Sequence, residues 1–154
     1  MISFSTTTDY RMARSILTNA KVYRRMCNDS APRSEDFVCG PRPGLTYVLA
    51  EEDALPVGLF LLSTEGQLPG SAQVHFCFIP EVWGNTYRIA REFLEWVWRT
   101  SSLNRLVGPV PAYNGLALRL ARSVGFRESG APTQAVRKGG VEWGLLPLEI
   151  LRRC

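Results

Sequence analysis

Asn114-Gly115-Leu116-Ala117-Leu118-Arg119-Leu120-Ala121-Arg122-Ser123-Val124-Gly125-Phe126 opens on a residue type that caps helices and closes on one that ends them. An Asn carboxamide accepts a first-turn N–H, Leu116, Ala117, Leu120, Ala121 and Val124 fall at helical spacing, and Gly125 adopts the left-handed backbone that stops the run. Upstream, Leu103 to Val110 reads as a strand, and Pro111 and Tyr113 bend the chain before the cap. Before that strand, Ile89, Ala90, Phe93, Leu94 and Val97 form an apolar stripe within Thr86 to Arg99, backed by Trp96 and Trp98, which predicts the main amphipathic helix. Ala72 to Ile79 is almost wholly apolar or aromatic, as in a strand buried on both faces, and Pro80 stops it.

Working outward, Ile2 to Ser5 alternates like a short strand. Thr8 or Asp9 is placed to cap a helix carrying Met12, Ala13, Ile16 and Leu17, and a second helical piece covers Val22 to Cys27. Asn28 to Gly44 is rich in Pro, Ser, Asp and Gly and reads as a loop long enough to meet a substrate. Leu45 to Ala50 and Val57 to Ser63 make an antiparallel hairpin across a polar turn with Asp53 and Pro56. Thr133 to Arg137, Gly139-Gly140 and Val141 to Ile150 make another. Strands and helices in this order predict an α/β domain over residues 1–154, a mixed sheet with helices on both faces.

With 154 residues, 45% of them hydrophobic and 21% charged, the chain fits one buried core and excludes the disordered and fibrous classes. No apolar run approaches the ~20 residues that span a bilayer, and no basic segment precedes an apolar one at the N-terminus, so a cytoplasmic protein is expected. Cys27, Cys39, Cys77 and Cys154 form no C-x-x-C pair and have no histidine cluster beside them, which argues for free thiols and against a metal site. A net charge of +4 suits an anionic partner. All but two of the 18 basic residues are arginine, yet no basic run with interleaved aromatics points to nucleic acid.

The motif N-x-x-A-x-x-L-x-x-x-x-G-F, carried by Asn114, Ala117, Leu120, Gly125 and Phe126, and the order of elements around it resemble the GNAT N-acetyltransferases over nearly the whole chain. The resemblance implies a GNAT-like, mostly antiparallel central sheet of about six or seven strands, acetyl-CoA as cofactor, and transfer of an acetyl group to a primary amine of a small molecule or a bacterial or phage protein. The segment Ala72 to Arg99 is similar to the family's cofactor-binding strand, loop and helix, so Phe78, Ile79, Trp83, Gly84, Asn85, Thr86, Tyr87, Arg88 and Asn114 are its expected contacts. There, loop amides and a helix N-terminus attract the CoA diphosphate. The family pattern Q/R-x-x-G-x-G/A is altered: Thr86 and Arg88 stand where small residues are usual. His75-Phe76, Pro80 and Val110-Pro111-Ala112-Tyr113-Asn114 are most similar to small phage-encoded GNAT proteins, which implies work in a bacterial host's cytoplasm.

Amine acylation needs a base for the nitrogen, a partner for the carbonyl and a place for the departing thiolate. His75, the only histidine, lies on the strand beside the expected cleft and titrates near neutrality; it is the first candidate base, the other reading being a hydrogen-bonded histidine within the sheet. Glu81, Glu51 and Glu52 are alternatives, or plain surface carboxylates. The tyrosine that family members use as acid falls on Ala121, and Tyr113 is placed either to replace it or to pack at the helix start. Cys77, on the face of His75, is a core thiol rather than a nucleophile. Tyr23, Arg24, Arg25, Asp29, Glu35 and Asp36 are expected to choose the substrate. The alternative function is a catalytically inactive GNAT-fold phage protein acting in virion assembly or host-protein binding, since fold does not dictate function.

Overall fold

Every strand run expected from the sequence lies in one twisted sheet. The computed structural model describes residues 1–132 and 134–153, so the expected strand start at Thr133 and the thiol of Cys154 lie outside the described residues. In chain order the elements are β1 (Ile2–Thr7), α1 (Tyr10–Leu17), α2 (Ala20–Met26), β2 (Leu45–Glu52), β3 (Leu55–Ser63), β4 (Ser71–Phe78), α3 (Thr86–Thr100), β5 (Arg105–Pro111), α4 (Gly115–Val124), β6 (Arg127–Glu128), β7 (Ala135–Lys138) and β8 (Val141–Leu151). Single 3₁₀ turns occupy Ser34–Asp36 and Pro80–Asn85.

The sheet has eight strands in the order β1-β2-β3-β4-β5-β8-β6, with β7 on β8. Every pairing is antiparallel except β4 with β5. The eighth strand beyond the expected count is β6, whose two residues carry no periodicity; it forms because β8 is 11 residues long and offers Leu148 and Glu149 to Glu128 and Arg127.

Alternation along β4 sorts the core into two layers. Ala72, Val74 and Phe78 join Phe60, Phe93 and Leu106 under α3 and α4. Cys77 joins Leu49, Leu59 and Tyr47 under α1, with Met26 of α2 at the edge. Phe60 stacks on Phe93 with centroids 3.9 Å apart, both rings wholly buried, and this contact locks α3 to the sheet. Local chemistry sets the ends: Asp9 and Asn114 accept the first-turn N–H groups of Met12 and Ala117, and Gly125 stops α4 at φ +115°. Asp53 and Ala54, both with positive φ, make the β2–β3 turn, while Pro56 falls inside β3 opposite Glu51, beside a register shift.

Candidate active site

β4 and β5 pair over only three residues, Ser71 to Gln73 against Arg105 to Val107, and then part. The reason is written in β5. The N–H of Arg105 donates to Gly70 O and that of Ala112 to Gly144 O, so the backbone groups of residues 105, 107, 109 and 111 face β4, and those between face β8. Two of the four are Pro109 and Pro111, which have no N–H to give. The ladder therefore ends at Val107. On the other wall, Ile79 N bonds to Val57 O, which turns the peptide groups of Val74, Phe76 and Phe78 away from β3 and toward the gap.

The gap is a cleft of about 630 Å³, walled by β4 and β5, with α4 along one side and the start of α3 at its mouth. The structure brings His75, Phe78, Trp83, Thr86, Tyr87 and Asn114 to it. It does not bring Ile79, Glu81, Gly84, Asn85, Arg88 or Tyr113 into its lining. Pro80–Asn85 is a 3₁₀ turn running straight into α3 rather than an open loop, because Pro80 pre-sets φ at its first position. Trp83 is fixed there by its indole N–H, which donates to Phe78 O at 3.1 Å. A Cβ on Gly84 would meet nothing within 4 Å, so this backbone stays open to approach. Arg88 turns the other way, to Glu52 on β2 at 2.7 Å, and the amide oxygen of Asn85, turned toward it, accepts from Nη2 at 2.9 Å.

His75 makes no hydrogen bond to the described residues and is exposed, so it is not the satisfied sheet histidine that was the other expectation. Protein atoms crowd the ring on its closed sides, and this loss of solvation holds its pKa below the ordinary imidazole value. The imidazole is thus neutral, and able to take a proton, at pH 7. Cys77 also lines the cleft, 3.7 Å from the Met26 sulfur. Burial pushes its thiol up to about 12, so it carries no thiolate near neutrality. Tyr113 points to the β7–β8 hairpin, its ring 6.2 Å from Trp143 and under Lys138 Nζ at 5.5 Å. Among the described residues its buried hydroxyl has no partner, and desolvation first, then Cys27 and Asp29 nearby, raises its pKa. That position leaves it away from the cleft, and Ala121 offers no acid in its stead.

Two arginines that the loop pattern did not indicate do face the cleft: Arg25 from α2 and Arg119 from α4. Arg25 lies over the Trp83 ring, 4.2 Å from its centroid. Of the other residues expected to select substrate, Asp29 accepts the N–H groups of Gly139 and Gly140, both at 2.9 Å, while Glu35 and Asp36 sit 3.4 and 3.3 Å from Arg33. The Tyr23 hydroxyl donates to Pro32 O. Asp29 thus ties the 28–44 segment to the hairpin and Tyr23 ties it to α2, while the side chains of Glu35 and Asp36 pair within it.

No family model and no curated protein matches the chain. Solved structures do. The spermidine N-acetyltransferase of Vibrio cholerae, in complex with CoA and spermine, superposes with TM-score 0.76 at 16% identity, over 98% of this chain and 95% of that one. An aminoglycoside acetyltransferase in complex with ribostamycin and coenzyme A does so with TM-score 0.74 at 13% identity, over 99% and 94%. The same kind of enzyme with coenzyme A alone gives 0.71 at 15%, over 99% and 95%. The arrangement expected from Asn114 to Phe126 is therefore the one found: the chain has the fold of these solved acetyltransferases.

Proposed function

We propose that the chain is an acetyl-CoA-dependent N-acetyltransferase acting on a primary amine. What carries the reading is the parting of β4 from β5 after the Gln73–Val107 pair, which leaves unpaired β4 peptide groups beside an open cleft with an arginine at either side. The fit is one of donor type and space. The peptide group of Phe76 and the N–H of Phe78, whose carbonyl Trp83 already occupies, suit the amides of a pantetheine arm. Arg25, Arg119, the Thr86 hydroxyl and the open backbone at Gly84 suit its phosphates. A cleft of about 630 Å³ lies within the ~300–1,000 Å³ usual for cofactor sites.

Acetyl-CoA supplies an acetyl group activated as a thioester. The chain's own work is to hold and to move a proton. Thr86, Arg25 and Arg119 bind at the mouth. Phe76, on the gap edge of β4, offers its N–H as the carbonyl partner. His75, neutral and exposed beside it, accepts the proton of the incoming amine. The cleft's apolar walls, Val110, Leu120 and Ala121 among them, exclude water from the reacting atoms.

Calorimetry with acetyl-CoA tests the proposal. Binding should appear, and cofactor at 100-fold its Kd should stabilise the fold by about 2.7 kcal/mol. No heat and no thermal shift at millimolar concentration would end it. The second reading, a GNAT-fold binding protein with a reused cleft, draws on Arg88, which replaces a small residue and is held by Glu52. It predicts that silent titration.

A further inference from the structure

A second cavity, of about 280 Å³, shares His75 and Val74 with the cleft but opens near the start of β4 rather than its end. Its floor follows from the register: Leu61 lies opposite His75, and Ser63 opposite Gln73, on the face whose other end, Leu59 and Cys77, is buried under α1. Helix cover stops before His75 and Gln73, and both side chains stand exposed. Arg42 closes one side and Glu65 is also in the lining.

The turn that carries Arg42 is pinned. Tyr47 donates its hydroxyl to Gly40 O at 3.3 Å, Leu45 N bonds to Arg42 O at 3.1 Å, and Thr64 N bonds to Gly44 O at 3.0 Å. Gly44 sits at φ +73°, and a Cβ there would come within 2.8 Å of Thr64 Oγ1, so this turn accepts glycine alone. Arg42 is thus presented from a fixed backbone. Among the described residues, the side chains of Arg42, Ser63, Glu65, Gln73 and His75 make no hydrogen bond or ion pair. Two opposite charges line one small cavity without forming an ion pair, and three neutral polar groups share that lining with free donors and acceptors.

We infer that this cavity is the acceptor subsite and that its acceptor is a small amino-acid-like zwitterion, its carboxylate on Arg42 and its ammonium drawn by Glu65 toward His75. The inference rests on the acetyltransferase reading of the cleft. It explains why His75 faces both spaces: the donor enters from the splayed end and the acceptor from the paired end. The ammonium first gives one proton to His75, which passes it to solvent. The freed lone pair of the nitrogen then bonds the acetyl carbon as the thioester C–S bond breaks, the electron pair leaves on sulfur as thiolate, and the second nitrogen proton follows through His75 to solvent. At ~30 Å³ per water, the cavity holds roughly nine water volumes, room for a free amino acid. An arginine fork recognises a planar carboxylate through two parallel hydrogen bonds, and an amine without one gains nothing from Arg42.

The test compares amines that differ only by a carboxylate: lysine against cadaverine, and histidine against histamine. With acetyl-CoA saturating, kcat/KM should favour the amino acid of each pair by ~10-fold, the worth of a charge-assisted pair. Arg42→Gln should bring that preference to about twofold or less while its acetyl-CoA Kd, read by calorimetry, stays that of the wild type. Equal use of both members by the wild type, or a preference that survives Arg42→Gln, overturns the inference. Acetyl-CoA that binds without any lysine preference overturns this inference alone; acetyl-CoA that fails to bind overturns it together with the function on which it rests.

Discussion

The guanidinium of Arg25 lies 4.2 Å above the ring of Trp83, so the last turn of α2 is tied to the 3₁₀ turn that precedes α3 across the mouth of the cleft. An arginine stacked on an indole keeps its N–H edge free for an anion. Arg25→Gln should therefore raise the Kd of acetyl-CoA about fivefold, the effect of ~1 kcal/mol from a partly exposed charged contact. S-acetyl-pantetheine, which lacks the diphosphate, should bind both proteins equally. Calorimetry with the two donors checks this; an equal loss for both would place Arg25 on the pantetheine arm instead.

His75 should act on kcat and leave cofactor affinity alone. His75→Gln is expected to lower kcat about 100-fold or more, within the range for a positioned base, with the acetyl-CoA Kd unchanged. Because loss of solvation holds the imidazole pKa down, the wild-type kcat/KM should stay level as pH falls through 6.5 and decline only below it. Stability follows the same sign. The unfolded histidine takes a proton near 6.5 while the folded one does not, so stability is full above that value and falls as pH drops toward the folded pKa. His75→Gln should remove both the acid limb of the rate profile and this slope.

Pro109→Val restores an N–H directed at β4. The parallel ladder should extend by one hydrogen bond, worth about 1 kcal/mol, and narrow the vertex of the cleft. The expected result is a slowly exchanging amide at position 109 together with weaker acetyl-CoA binding. Rapid exchange at that amide would show that the strands part for some other reason.

Phe60 and Phe93 hold α3 to the sheet through a single stacked pair at the centre of the larger core. Phe60→Ala should cost about 3–5 kcal/mol and lower the melting temperature by about 10 °C or more. Differential scanning calorimetry reads it directly, and a loss under ~1 kcal/mol would mean that the neighbouring rings of Phe4, Phe76 and Phe78 collapse into the space.

Local chemistry made much of the fold legible. The helix from Asn114 to Gly125 was readable in its cap and stop, but its stripe was turned slightly, since Leu118 is the buried residue and Leu116 stands exposed; α3 begins at Thr86 as its stripe predicts and ends one residue later. What spacing could not carry was the meeting of distant segments. Arg25 and Arg119 lie on different helices, and only the packing of α2 and α4 about the sheet gap puts both on one cleft. Tyr113 sits beside Asn114 in sequence, but the bend after Pro111 sends it to Lys138 and Trp143 while Asn114 faces the cleft. Thr86 and Arg88, two positions apart in the altered pattern, separate for a reason of the same kind: Glu52, a partner 36 residues away, claims the arginine. The sign most readily missed was Gly108-Pro109-Val110-Pro111. Alternating prolines in a strand state which edge will lack donors, provided the neighbours on each side are known.

Since that missing pair of donors is covalent, the wedge between the central strands exists before anything enters it. Admitting a guest breaks no main-chain contact, so entry has no unzipping step to wait for. Association should run at the speed set by diffusion and orientation, and differences in residence time should reside in how quickly the guest leaves.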